Sequence, residues 1–218
     1  MKRQLLIGTV AALAAATMLG SGMSTQPAPA QARTPQEQSV NFYNDGIRAR
    51  EKAWKMEKEL TTEQDAGKQA RLQEKIQKSY ENAVRLQRKA TDNNPNMFQA
   101  FGELGYALRK SGHFSDALVA YDHALELQPN FAEAIEYRGE AYLGLNRVDD
   151  VKVAYLTLFN GGDKPGAAKL SSAMVKWVDA HRTSAGDVPQ QQIDDFAKWV
   201  SQRSEITTQS ASVSGATW

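Results

Sequence analysis

The stretch FQAFGELGYALRKSGHFSDALVAYDHALELQPNF, residues 98–131, decides the fold. Its apolar residues stand three and four apart, as one face of an α-helix requires, first at Phe101, Leu104 and Leu108 and again at Ala117, Tyr121 and Ala124. Gly112 and His113 fall in the turn between the two runs. Pro129 closes the second run, because proline has no backbone N–H and pushes the preceding residue out of helical geometry. Gly105 lies mid-helix, where glycine costs roughly 1 kcal/mol relative to alanine, so a close helix approach is expected there.

Outward from this stretch, the pattern returns. Phe101, Gly105, Leu108, Phe114, Ala117 and Tyr121 reappear 34 residues later as Ile135, Gly139, Tyr142, Val148, Val151 and Tyr155. Upstream, Tyr80, Ala83, Ala90 and Pro95 precede Phe114, Ala117, Ala124 and Pro129 by the same 34. A period of this length is the mark of stacked helix pairs, so the expected fold class is all-α.

Phe101-x2-Leu104-Gly105-x2-Leu108 followed by Ala117-x3-Tyr121, Ala124 and Pro129 resembles the tetratricopeptide repeat signature across residues 98–131. The next unit, 132–165, keeps Gly139, Tyr142 and Tyr155 but has Arg138 in a leucine place and Val151 and Leu158 in alanine places. Asp163 stands where the closing proline belongs, with Pro165 two residues late. The resemblance implies a short α-solenoid, a right-handed superhelix of helix pairs.

The first unit, 36–95, is split. Phe42-Tyr43-Asn44-Asp45-Gly46 looks like the start of a repeat and Tyr80 to Pro95 like its end, with about 25 residues too many between them. The insertion keeps helical spacing: Ile47, Trp54 and Leu60 on one side of Thr61–Gly67, and Leu72, Ile76, Tyr80, Ala83 and Leu86 on the other. An elongated helical hairpin is expected. After Pro165, amphipathic runs at 167–182 and 190–204 read as capping helices within 166–206. Residues 207–218, without period and almost without charge, read as a disordered tail ending in Trp218.

The first 32 residues read differently. Lys2 and Arg3 precede an apolar run from Leu5 to Leu19, and Ala30-Gln31-Ala32 offers a small-x-small cleavage site, the order of a secretory signal peptide. A run of 15 residues is short of the roughly 20 a spanning helix needs, so no membrane span is expected in the mature chain, 33–218. A soluble periplasmic protein is the expectation. Without cysteine there is no disulfide and no lipid-attachment residue. Removing residues 1–32 changes the formal charge from 26 − 25 = +1 to 24 − 25 = −1, which offers no overall basic excess for nucleic acid or anionic lipid.

No constellation for chemistry emerges. His113, His123 and His181 do not form a metal-ligand set. The adjacent acids Asp149-Asp150 and Asp194-Asp195 splay about 100° apart on a helix. Glu133, Glu136 and Glu140 lack the lobe that a glycoside hydrolase builds around its carboxylates. No enzyme, cofactor or metal is expected.

What remains is binding. Tetratricopeptide repeats line a concave groove with the first helix of each pair, and the resemblance places Tyr43, Asn44, Ile47 and Arg50 there from the first unit. Gln99, Tyr106, Arg109 and Lys110 follow from the second, and Glu133, Glu136, Tyr137 and Glu140 from the third. A basic step thus sits beside an acidic one with tyrosines between, suited to an extended peptide or helix of mixed charge. Asn44 imitates part of the carboxylate-clamp arrangement of some relatives, but the glutamates of the third unit do not, so clamping is not expected. The expected function is a periplasmic adaptor holding a protein or peptide partner. The alternatives are a scaffold subunit of an envelope machine, self-assembling through the hairpin, and a cell-wall enzyme.

Overall fold

The computed structural model describes residues 34–214, with side chains through residue 203. The expected signal peptide lies outside the described residues. Eight helices and no strand occur within them, in the order α1 (Pro35–Leu60), α2 (Ala66–Asn93), α3 (Phe98–Lys110), α4 (Phe114–Leu127), α5 (Ala132–Gly144), α6 (Val148–Asn160), α7 (Lys164–Thr183) and α8 (Gln190–Ser214). The helices stack as antiparallel pairs, the expected short α-solenoid. The starts of α3 and α4, residues 98 and 114, become those of α5 and α6, 132 and 148, on adding 34.

The turns repeat as faithfully as the helices. Asn94 and Gln128, the residues before Pro95 and Pro129, end α2 and α4 with φ near −144° and −141°, the extended geometry proline imposes on its predecessor. Within pairs the chain turns through a left-handed residue, Gly112 at φ 83° and, 34 positions on, Asn146 at φ 57°. His113 N–H and Arg147 N–H each donate back across that turn, to the carbonyls of Leu108 and Tyr142, at 2.9 Å. Pro165 does not close the third pair. Gly162, at φ 86°, turns the chain there, and the proline occupies the first turn of α7, where its missing N–H is harmless.

Packing accounts for the signature residues. Ala117, Tyr121 and Ala124 are fully buried on α4, with Leu104 and Leu108 of α3 against them and Phe101 at the edge. Tyr155 and Leu158 fill the same layer one pair later and meet Leu170, Met174 and Trp177 of α7. Gly105 and Gly139 both sit in tight crevices, but not in equivalent ones. A β-carbon at 105 would lie 2.6 Å from the Tyr121 ring of its own pair, whereas one at 139 would lie 2.6 Å from Leu170 of the next pair.

α1 and α2, at 26 and 28 residues, are about 40 Å long, twice the roughly 20 Å of α3 to α6. They form a hairpin that runs past the other helices. Thr34 and Glu37 make a reciprocal capping box at its start, and Asp65 caps α2 at the tip. Its apolar residues are spent inward: Ala53 and Tyr80 pack with Trp54 and Ile76, and Ala49 with Ala83 and Leu86.

At the other end, α7 and α8 close the core with Trp177, Val188, Ile193, Phe196 and Val200. The disordered tail expected from residue 207 is corrected for residues 207–214, which continue α8. Neither glycine nor proline interrupts 190–214, and extending a formed helix costs far less than starting one. Among the described residues no helix is long and apolar enough to cross a membrane.

Candidate functional site

The odd-numbered helices lie on the inside of the stack. α1 packs on α3, α3 on α5 and α5 on α7, whereas among the described residues no two even-numbered helices approach backbone to backbone as closely, although Tyr155 of α6 meets Trp199 of α8 edge-on. The concave face therefore belongs to α1, α3, α5 and α7, and what lines it is decided by residues three and four apart on each.

Ion pairs tie one step of this face to the next. Arg50 of α1 donates through Nη1 to both oxygens of Glu103 on α3, at 2.7 and 2.6 Å, with both side chains almost sealed from water. Arg109 of α3 pairs with Glu140 of α5. Glu136 of α5 accepts from Lys169 of α7 at 3.0 Å. Nearer the hairpin, Lys110 of α3 bonds Glu57 of α1 at 2.7 Å.

Aromatic rings fill the spaces between these pairs. The Trp54 indole N–H donates to the Tyr106 hydroxyl at 2.7 Å, and the Tyr106 ring meets that of Tyr137 edge-on with centroids 5.0 Å apart. The Arg50 guanidinium lies 4.2 Å from the Trp54 ring centre, and that of Arg109 lies 5.1 and 5.2 Å from the rings of Tyr106 and Tyr137. Burial pushes the Tyr106 hydroxyl up to about 12, against the opposing pull of Arg109 and the Trp54 bond. Burial likewise raises the Glu136 carboxyl above the ordinary glutamate range, although Lys169 draws it back.

This arrangement changes the expected lining. Tyr43 and Ile47 are core residues, packed with Ala90, Met97 and Ala100, and line no groove. Their helix turns that face toward α2 and the start of α3. Arg50, Tyr106 and Glu136 do belong to the concave face but are buried in it by their own partners. Asn44, Gln99 and Glu133 are half-buried. The basic and acidic steps neutralise each other: Arg50, Arg109, Lys110 and Lys169 against Glu57, Glu103, Glu136 and Glu140 give 4 − 4 = 0. Trp54, Glu57, Glu103 and Lys169 were absent from the sequence-based set. The spacing signal was there for Glu103, which stands three residues before Tyr106 on the same helix face.

The surface that a ligand can reach is thus Trp54, Glu57, Lys110, Tyr137, Glu140 and Lys169, each part-exposed or exposed. Such a face offers rings and balanced charge rather than a steering field. A second concavity, about 490 Å³, opens between α2, α3 and α4, floored by Phe101, Leu104, Leu108 and Val119 and crossed by Arg88 and Asp116 at 4.0 Å.

The histidines sit apart. His123 lies against the Phe101 ring beside Glu126, and His181 stacks on Trp177 and meets its carbonyl. Among the described residues no three His, Asp or Glu side chains converge as a metal ion would require.

Residues 105–146, from the middle of α3 to the turn after α5, match the sequence model of the TPR repeat family. No curated protein matches the chain. TPR repeats as a class mediate protein–protein interaction and are typically non-catalytic. The TPR match is confined to residues 105–146, and the fold around it is a short α-solenoid of the TPR type.

Proposed function

We propose that this chain is a non-catalytic adaptor of the bacterial periplasm that holds a partner polypeptide against its concave face. The observation that carries the reading is the strip of reachable side chains, Trp54, Lys110, Tyr137, Glu140 and Lys169, supplied by four successive odd helices along one surface. Aromatic rings with hydrogen-bonding or cationic neighbours are the groups that anchor polypeptides in interfaces. Export rests on Lys2-Arg3, the apolar run from Leu5 and the Ala30-Gln31-Ala32 site.

Affinity capture from periplasmic extract tests the face. Lys110→Glu with Tyr137→Ala removes the partners that the native chain retains, with helicity by circular dichroism unchanged. Val119→Ser with Val153→Ser, on exposed positions of α4 and α6, retains them. Partners that survive the first pair of substitutions sink the reading.

A scaffold role through the hairpin is the second reading, favoured by the length of α1 and α2 relative to the other helices. The large hydrophobic side chains exposed among the described residues are Val119, Leu127, Val153 and Val175, none of them on the hairpin. Light scattering separates the two readings: a monomer at working concentration removes self-assembly.

A further inference from the structure

Lys68, Arg71, Lys75, Lys78, Arg85 and Lys89 follow one another along α2 at intervals of three, four, three, seven and four residues, and all six are exposed. At about 100° per residue this spacing confines them to an arc of roughly 100°. From 68 to 89 is 21 residues, so the row is straight and about 31 Å long. Apart from Lys89, whose ammonium lies 5.2 Å from the centre of the Phe42 ring of α1, it faces away from both neighbours of α2. Leu72, Ala83 and Ala90 turn toward α1, and Val84, Arg88 and Thr91 toward α3 and α4.

The charge of the row is largely uncompensated. Lys78 bonds Glu74 at 2.5 Å and Lys68 stands 4.0 Å from Glu63, but Arg71, Lys75, Arg85 and Lys89 make no ion pair among the described residues. The acids of α2, Glu74, Glu81 and Asp92, keep to one flank of the arc. α2 holds seven basic and three acidic residues, 7 − 3 = +4, whereas its hairpin partner α1 holds five of each, 5 − 5 = 0.

The composition of the row selects its ligand. Polypeptide interfaces are built on aromatic and apolar anchors and are poor in lysine; none of the exposed large hydrophobic side chains lies on α2. Single-stranded nucleic acid calls for stacking rings, and the row has none. A straight line of lysine and arginine with no anchor suits a diffuse plane of negative charge. We propose that α2 docks on an anionic phospholipid surface through this row, lying parallel to the plane of the headgroups without inserting. This surface is separate from the concave face, so a docked chain leaves that face open to its polypeptide.

The full chain is mixed with vesicles of phosphatidylcholine alone and of phosphatidylcholine with phosphatidylglycerol, and binding is read by co-sedimentation. The native chain prefers the anionic vesicles, and salt reduces that preference. Arg71→Glu with Lys75→Glu lowers the preference roughly tenfold or more. Lys176→Glu with Arg182→Glu, the same change in net charge on exposed positions of α7, leaves it unchanged. The apolar stretch 5–19 is common to all variants, and the vesicles of phosphatidylcholine alone read its contribution separately. The proposal is overturned if the first double variant binds like the native chain, or if the second loses as much. It is equally overturned if the native chain ignores anionic vesicles but binds soluble polyglutamate, which would assign the row to an acidic polypeptide.

Discussion

Arg50 and Glu103 meet across the boundary between the first and second helix pairs, one guanidinium nitrogen held by both carboxylate oxygens in a site almost without water. A pair so enclosed is costly to break from one side. Truncating one partner leaves the other as a buried uncompensated charge, and Glu103→Ala is expected to lose about 3–5 kcal/mol in urea unfolding. Asp45→Ala, which removes the exposed partner of Arg48, loses less than about 1 kcal/mol. Arg50→Met with Glu103→Leu recovers most of the loss, because no charge is then stranded. A Glu103→Ala variant as stable as Asp45→Ala would show that water reaches the pair.

Two glycines fail for opposite reasons. Gly105→Ala places a β-carbon 2.6 Å from the Tyr121 ring, which is fully buried and cannot yield. Overpacking of about 1–3 kcal/mol outweighs the helix propensity that alanine adds. Gly112→Ala meets no atom within 4 Å but must hold φ at 83°, at a cost of about 1 kcal/mol. Thermal unfolding of both variants checks the order, with Gly105→Ala the lower in Tm.

Asn146 combines the left-handed turn with a side-chain contact. Its Oδ1 accepts from the Trp177 indole at 3.2 Å, a donor that also reaches the Leu143 carbonyl at 3.0 Å. Asn146→Gly keeps the backbone and leaves the indole one acceptor, so its Tm stays near that of the native chain. Asn146→Ala loses the contact and strains the turn, a cost of about 1–2 kcal/mol. Equal Tm values for the two variants would contradict the assignment.

Glu136 reverses the usual acid dependence of a paired carboxylate. Its folded value is raised, so the folded chain binds this proton more readily than the unfolded chain. The stability it contributes is present below the ordinary value of 4.5 and is lost as pH rises through the folded value. Against Glu136→Gln, the native chain therefore gains relative stability as pH is lowered from neutral toward 4.5. Urea unfolding of both across that range checks the sign, and a flat difference would refute it.

The repeat architecture was legible in the sequence because it is written in recurrences. Gly105, Ala117, Tyr121 and Pro129 each carry a local reason for their place, and a shift of 34 finds their counterparts. The concave face was legible only by helix, not by side chain. Which residues of α1 face α3 depends on how far the elongated hairpin rotates against the second pair, and no periodicity within α1 states that. Tyr43 and Ile47 therefore went to the core, and Arg50 to a carboxylate outside the expected set. Gly139 shows the same limit. Its residue type repeats, but the side chain filling its crevice, Leu170, comes from a helix that does not follow the repeat signature.

The contacts joining successive pairs, Arg50 with Glu103, Arg109 with Glu140 and Glu136 with Lys169, all lie on the inner rim of the stack. They act as short stays along one side of a coil. Straightening the coil stretches them, together with the Lys110–Glu57 pair and the Trp54, Tyr106 and Tyr137 rings beside them, before it disturbs the apolar layers on the outer side. The curvature presented to a bound chain then answers to salt mainly through the part-exposed Lys169–Glu136 pair, while the sealed Arg50–Glu103 pair and the apolar layers hold the coil at any ionic strength.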